Sequence, residues 1–191
     1  MDICFATNNE HKLSEVRDLV GNQHNILSLS DIGCDEELPE DYNTMEDNSS
    51  QKAEYVYKNY RINCFSDDTG LECYGLNMEP GVRSARYAGD HKSNEQNISL
   101  LLKNLESKPE KRARFRTVVT LVLNGKTWQF EGIVEGIIIQ QRFGKNGFGY
   151  DPIFAPLGEL KTFAEMTNHE KNKISHRAIA MQQLVDHLKT I

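Results

Sequence analysis

The chain lacks the features that would send it to a membrane or out of the cell. No stretch approaches the roughly 20 consecutive apolar residues of a membrane span. Its start, Met1-Asp2-Ile3-Cys4-Phe5-Ala6, has neither the basic residues nor the long apolar segment of a secretory signal. Cysteine is scarce: Cys4, Cys34, Cys64 and Cys73 are the four present, none in Cys-x-x-Cys spacing. Three of them sit in or beside apolar runs, and they read as reduced core residues of a cytosolic protein. Positive charge is also short, with 22 Lys and Arg against 28 Asp and Glu and a net charge of -6. That balance argues against a surface built to hold a nucleic-acid backbone. There is no internal repeat and no low-complexity linker. What is left is expected to be a soluble, cytoplasmic chain of 191 residues, 38% hydrophobic and 26% charged. It can bury a real core, as one domain over residues 1–191, with two lobes as the preferred picture.

The apolar pattern then lays out the elements. Ile3 to Ala6 reads as a strand, followed by the capping side chains of Thr7-Asn8-Asn9 and a helix with Leu13, Val16, Leu19 and Val20 on its apolar face. A strand running through a polar turn into a helix N-terminus is a ready anion site, and Lys12 adds a full positive charge to it. Ile26 to Leu29 is a second strand, Asp31 to Asp41 an acidic loop, and Thr44 to about Tyr60 a second helix carrying Lys52. Asn94 to Leu105 is helical. Asn124-Gly125 between Phe115–Leu123 and Trp128–Val134 marks a tight hairpin. Ile137 to Ile139 reads as a further buried strand, Gly144 to Pro152 as a glycine-rich turn, and Pro80 to Gly89 as an ordered loop. Thr162-Phe163-Ala164-Glu165 is a capping box, and Ser175 to Lys189 an amphipathic helix. The fold class expected is α/β, a mixed twisted sheet flanked by helices, with two lobes and an active-site cleft between them.

Ser66-Asp67-Asp68-Thr69-Gly70-Leu71 is the most informative segment: two adjacent carboxylates after an apolar run, read as a polar turn before the strand resumes at Leu71. Adjacent acids that lose hydration call for a cation or for protonation of one of them. Magnesium, which takes oxygen ligands and shares its shell with phosphates, is the natural candidate. The bland reading is a solvated Asp-rich turn.

Four motifs in this order, Thr7-x-Asn9-x-x-Lys12, Ser66 to Gly70, Gly147-Phe148-Gly149-Tyr150-Asp151-Pro152 and Ser175-His176-Arg177, together resemble the inosine triphosphate pyrophosphatase family. Those enzymes hydrolyse non-standard purine nucleoside triphosphates to monophosphate and pyrophosphate. The match includes Pro80 to Gly89 and Thr162 to Glu165, and runs from residue 6 to about residue 180. The resemblance assigns the triphosphate to Thr7, Asn8, Asn9, Glu10, His11 and Lys12, with Lys52 as a second phosphate lysine and Thr69 beside the catalytic Asp68. It makes Glu40 and Asp68 the holders of Mg2+, although Asp41-Tyr42 and Asp47 depart from the usual surroundings of that glutamate. Phe148, Gly149, Tyr150 and Asp151 are implied to shape the base pocket, and Lys171, His176 and Arg177 to complete substrate binding. A homodimer acting on a small-molecule nucleotide, with no nucleic acid and no membrane, is also implied. The rival readings are a Maf-like pyrophosphatase for modified nucleotides and a nucleotide-binding sensor that has lost catalysis; the intact Asp67-Asp68 pair speaks against the sensor.

Overall fold

The computed structural model describes residues 1–21, 24–91 and 93–190. Strand β1 (Asp2–Phe5) leads through Thr7-Asn8-Asn9 into helix α1 (Glu10–Val20), whose N-cap Asn9 accepts from the backbone N–H of His11 and Lys12. Strand β2 (Asn25–Leu27), helix α2 (Met45–Tyr60, capped by Thr44) and strand β3 (Cys64–Cys73) follow. Next come β4 (Pro80–Gly81), α3 (Asn94–Leu105), β5 (Arg112–Leu123), β6 (Lys126–Ile138), β7 (Phe154–Pro156), α4 (Asn168–Lys171) and α5 (His176–Leu188).

Among the described residues the strands form one sheet in the hydrogen-bonded order β2-β1-β3-β5-β6-β7, with β4 on β3. It is mixed, as expected: β1 runs parallel to β2 and β3, while the β3–β4 and β6–β7 pairs are antiparallel. The β5–β6 connection is the Asn124-Gly125 turn. Both residues have positive φ, 51° and 78°, as a two-residue hairpin with right-handed twist requires.

The chain divides into two compact units. The first comprises Met1–Asp68, Thr117–Gly132 and Arg177–Ile191, and the second Thr69–Arg116 and Ile133–His176. In the first unit the two-residue period of the strands sorts side chains to opposite faces. Ile3, Phe5 and Phe65 pack with Leu13, Val16, Met181 and Leu184 from α1 and α5. Cys4, Ala6 and Cys64 pack with Ala53 and Val56 of α2. The second unit has its own core, in which Leu71, Phe115, Phe154 and Phe163 meet Ile98, Leu101 and Leu105 of α3. All four cysteines are buried and none is in a disulfide, and burial pushes the thiols of Cys4, Cys64 and Cys73 up to about 12.

Three sequence readings need correction. Asp67 and Asp68 do not sit in a turn; they lie in the middle of β3, an unbroken ten-residue strand. Local composition alone marks Asp-Asp-Thr-Gly as a turn former, but backbone pairing to β1 at Cys64 and Phe65 and to β4 at Leu71 and Glu72 carries the strand through. The Ile137–Ile139 run is not a separate strand, because β6 continues to Ile138; Ile137 is exposed and Ile138 buried, as alternation demands. The Pro80–Gly89 loop contains β4 and a 3-10 turn at Ser84–Arg86. Strand β7 and helix α4, each four residues or fewer, were too short to leave a period in the sequence. Among the described residues no helix is long and apolar enough to cross a membrane.

Candidate active site

Alternation along β3 decides the geometry of the carboxylate pair. Residues 65 and 67 face α1 and α5, whereas 64, 66 and 68 face α2. Asp67 accordingly meets Lys12 of α1, with Nζ 2.9 Å from Oδ1, and Arg177 of α5, whose Nε and Nη2 both donate to Oδ2 at 3.2 Å. Arg177 also donates through Nη1 to Glu15 of α1. Asp68 looks the other way. Its Oδ2 accepts from Asn48 Nδ2 of α2 at 3.3 Å, and Ser66 pairs with Ser49, the next residue of that helix. Lys52 of α2 donates to the backbone oxygen of Asp67 and to Glu40 Oε1, both at 2.6 Å.

These groups are almost wholly withdrawn from water; Arg177 and Asp67 are each 1% exposed and Asp68 7%. Burial alone would raise the pKa of Asp67, but Lys12, Arg177 and Lys52 outweigh it and hold the group well below the usual carboxylate range. For Asp68 burial wins. Its carboxyl is pushed up to about 6, with Glu40 and Asp67 adding to the rise and Lys52 and Lys12 opposing it. Burial lowers Lys12, partly offset by Asp67. Lys52 ends above its ordinary value because Glu40, Asp68 and Asp67 overcome its desolvation. Two adjacent acids thus carry different proton affinities, a split that suits one as a fixed counter-ion and the other as a proton acceptor.

The first-turn residues divide their duties. Asn9 spends its side-chain oxygen on the backbone N–H of His11 and Lys12, and Thr7 Oγ1 accepts from Asn9 N. Part of the helix N-terminus expected to face an anion is therefore capped by the protein itself. Glu10 and His11 are exposed on the first turn of α1. Asn8 hydrogen-bonds the backbone of Glu36 and Leu38.

In the second unit Asp151 and Lys171 form a buried pair at 2.8 Å. The Lys171 ammonium lies 5.1 Å from the Phe148 ring centre and 5.6 Å from that of Phe163, cation–π contacts that add to the ion pair. Asp151 Oδ2 also accepts from Phe148 N, closing the turn. Gly147 is required there, since its φ is 72° and a Cβ would run into that same oxygen. Gly149 has φ 59°. Tyr150 is buried and donates to Ser84 O at 2.9 Å. His176 is buried, not on the surface as its place in an amphipathic helix suggests, and stacks on Phe115 with ring centres 4.6 Å apart. Thr69 belongs to this unit, next in β3 to Asp68.

The structure thus gathers Lys12, Glu40, Lys52, Asp68 and Arg177 in one unit, and Phe148, Gly149, Tyr150, Asp151, Lys171 and His176 in the other. Sequence reasoning missed Glu15, a buried carboxylate between Leu13 and Val16 on the apolar stripe of α1; a charge on a buried helix face was the available signal. The bond of Asn48 to Asp68 carried no such signal.

A model of the Ham1 family matches residues 3–187. A dITP/XTP pyrophosphatase of Flavobacterium johnsoniae is 49% identical over 186 residues, 97% of each chain. One of Porphyromonas gingivalis is 48% identical over 187 residues, 97% of this chain and 96% of its own. Among solved structures, the Ham1 protein of Staphylococcus aureus superposes with a TM-score of 0.89 at 36% identity, covering 100% of this chain and 99% of that one. A HAM1 protein from Coxiella burnetii gives 0.91 at 33% identity with both chains fully covered. With nearly its whole length matched in both sequence and fold, the chain belongs to the Ham1 family.

Proposed function

We propose that this protein is a nucleoside-triphosphate pyrophosphatase that hydrolyses ITP, dITP and XTP to the monophosphate and pyrophosphate. The observation that carries the reading is Asp68, a buried carboxylate with its pKa near 6, placed beside Lys12 and Lys52. The relatives named dITP/XTP pyrophosphatase, aligned over almost all of the chain, support the substrate class.

Asp68 is the group that takes a proton from the attacking water, since at neutral pH it is ionised yet basic enough to accept one. Asp67, locked by Lys12 and Arg177, stays ionised and serves as their counter-ion. Lys12 and Lys52 are held by Asp67 and Glu40, and a triphosphate would take over these cations as charge builds on the departing pyrophosphate. Glu40 and Asp68 are the candidate holders of Mg2+, and oxygen-only donors fit that hard cation. Among the described residues there is no group of three or more His, Cys, Asp or Glu that could hold a metal alone. When bound, Mg2+ lowers the pKa of water and offsets phosphate charge.

The base is assigned to Phe148, Gly149, Tyr150 and Asp151 with Lys171 and His176. A 6-oxopurine offers an acceptor at position 6 and a donor at position 1, and adenine the reverse. A pocket made for the first leaves buried groups unpaired with the second, at about 1–3 kcal/mol each. A homodimer is part of the proposal, to be checked as a solution mass twice that of one chain.

The test is product analysis over a nucleotide panel with Mg2+ or with chelator. Pyrophosphate from ITP, dITP and XTP, little from ATP, and none after chelation is the expected result. Orthophosphate as the sole phosphate product, or chelator-resistant turnover, would overturn the reading. Binding without turnover would make the protein a sensor, and a preference for modified pyrimidines would make it Maf-like.

A further inference from the structure

Residues 36–42 have no regular secondary structure, yet they carry Glu40. Both oxygens of Glu36 accept from tyrosine hydroxyls of α2, Tyr55 at 2.7 Å and Tyr60 at 2.9 Å. The Asp41 N–H donates to Gln51 Oε1 at 3.0 Å, and Gln51 Nε2 returns a bond to Asp41 Oδ2 at 2.7 Å. Asn48 brackets Tyr42, accepting from its N–H at 2.9 Å and donating to its carbonyl at 3.1 Å. Leu38 is buried in the α2-side core, and Asn8 bonds the backbone at Glu36 and Leu38.

The donors on α2 are not scattered. Asn48, Gln51, Lys52 and Tyr55 stand at i, i+3, i+4 and i+7, a single face of the helix. That polar stripe fastens the loop on both sides of Glu40, while Lys52 grips the carboxylate itself at 2.6 Å. Each bond to an exposed loop is modest alone. Several acting on seven residues remove backbone freedom that would otherwise have to be lost when Glu40 meets a cation. Asp41-Tyr42, the pair that departs from the family pattern, is the very part of the loop that Gln51 and Asn48 hold.

We infer that Gln51, Tyr55 and Tyr60 are positioning residues, which hold the Glu40 loop on α2 and so preset Glu40 for the divalent cation. The inference rests on the assignment of Glu40 made above. None of the three touches Lys12, Asp67 or Asp68 through the bonds described, so they act through the loop.

The test uses the full chain with the conservative double variant Y55F/Y60F, which removes both hydroxyls and keeps both rings, together with Q51A. Mn2+ is titrated by electron paramagnetic resonance in the presence of pyrophosphate, and the Mg2+ activation constant is measured in turnover. Both constants should weaken by about three- to tenfold in the double variant and by less in Q51A, with turnover at saturating Mg2+ held within about twofold and nucleotide binding in chelator unchanged. A lower Tm with unshifted cation constants in both variants would mean a structural role only and would overturn the inference. The parallel variant E40Q separates the two levels. If E40Q weakens Mn2+ binding while Y55F/Y60F and Q51A do not, the positioning role fails and Glu40 keeps its assignment. If E40Q has no effect on Mn2+, both fall.

Discussion

At the scale of single residues, burial of Asp68 couples its proton to the stability of the fold. Its pKa is raised from the ordinary 3.8 to about 6, chiefly by burial, so the folded chain holds the Asp68 proton more tightly than the unfolded chain does. The stabilisation this gives is complete below about pH 4, declines as pH rises towards 6, and is gone above it. Asp68→Asn removes the penalty for burying the ionised form and can still receive the bond from Asn48. The variant should therefore gain on the wild type in Tm between about pH 4 and 6 and keep that advantage at pH 7–8. Over the same range its turnover should be lower by several powers of ten, with nucleotide binding largely kept. Thermal melts and single-turnover assays across pH check both halves. In the wild type, kcat/KM should fall below about pH 6 as Asp68 takes up its proton.

At the scale of elements, three segments distant in the chain are joined by one guanidinium. Arg177 at the start of α5 pairs with Asp67 in β3 and Glu15 in α1, all three buried. Arg177→Ala would leave two buried carboxylates without their shared cation. A loss of about 3–5 kcal/mol is expected, measured by urea unfolding. Adding Glu15→Gln to that variant should recover part of the loss, because it removes one of the stranded charges. Because Arg177 pairs with Asp67 and Glu15, an effect exerted through Asp67 should lower turnover of inosine and adenosine triphosphates by similar factors. A loss confined to the inosine substrate would instead assign Arg177 to base recognition. Helix α2 has a comparable two-sided role: Ala53 and Val56 fill the core while its polar stripe addresses Asp68 and the Glu40 loop.

At the scale of the whole molecule, the proposed function makes ligand loading a matter of charge matching. Lys12 and Lys52 are held by Asp67 and Glu40, so on the proposed assignment of Glu40 a cation alone must compete with Lys52 for it. Mg2+ by itself should barely move the melting temperature, whereas Mg2+ with pyrophosphate, which supplies new partners to both lysines, should raise it by several degrees in differential scanning fluorimetry. A full shift from Mg2+ alone would show that Lys52 does not guard Glu40. Much of this molecule was legible in the chain. Helices with strong 3.6-residue periods and side-chain caps, such as Asn94–Leu105 after Ser93, and the Asn124-Gly125 hairpin are local phenomena, and local sequence specified them. The spaced motifs marked Lys12, Lys52, Asp68, Asp151 and Lys171 as residues to watch. Only the tertiary structure decided that Asp67-Asp68 lies within a strand, that its period turns one carboxylate to α1 and α5 and the other to α2, and that Glu15, Asn48 and Arg177 are their neighbours. Those outcomes depend on backbone pairing and opposite charges contributed by residues as many as 110 positions away, and no local propensity carries that information.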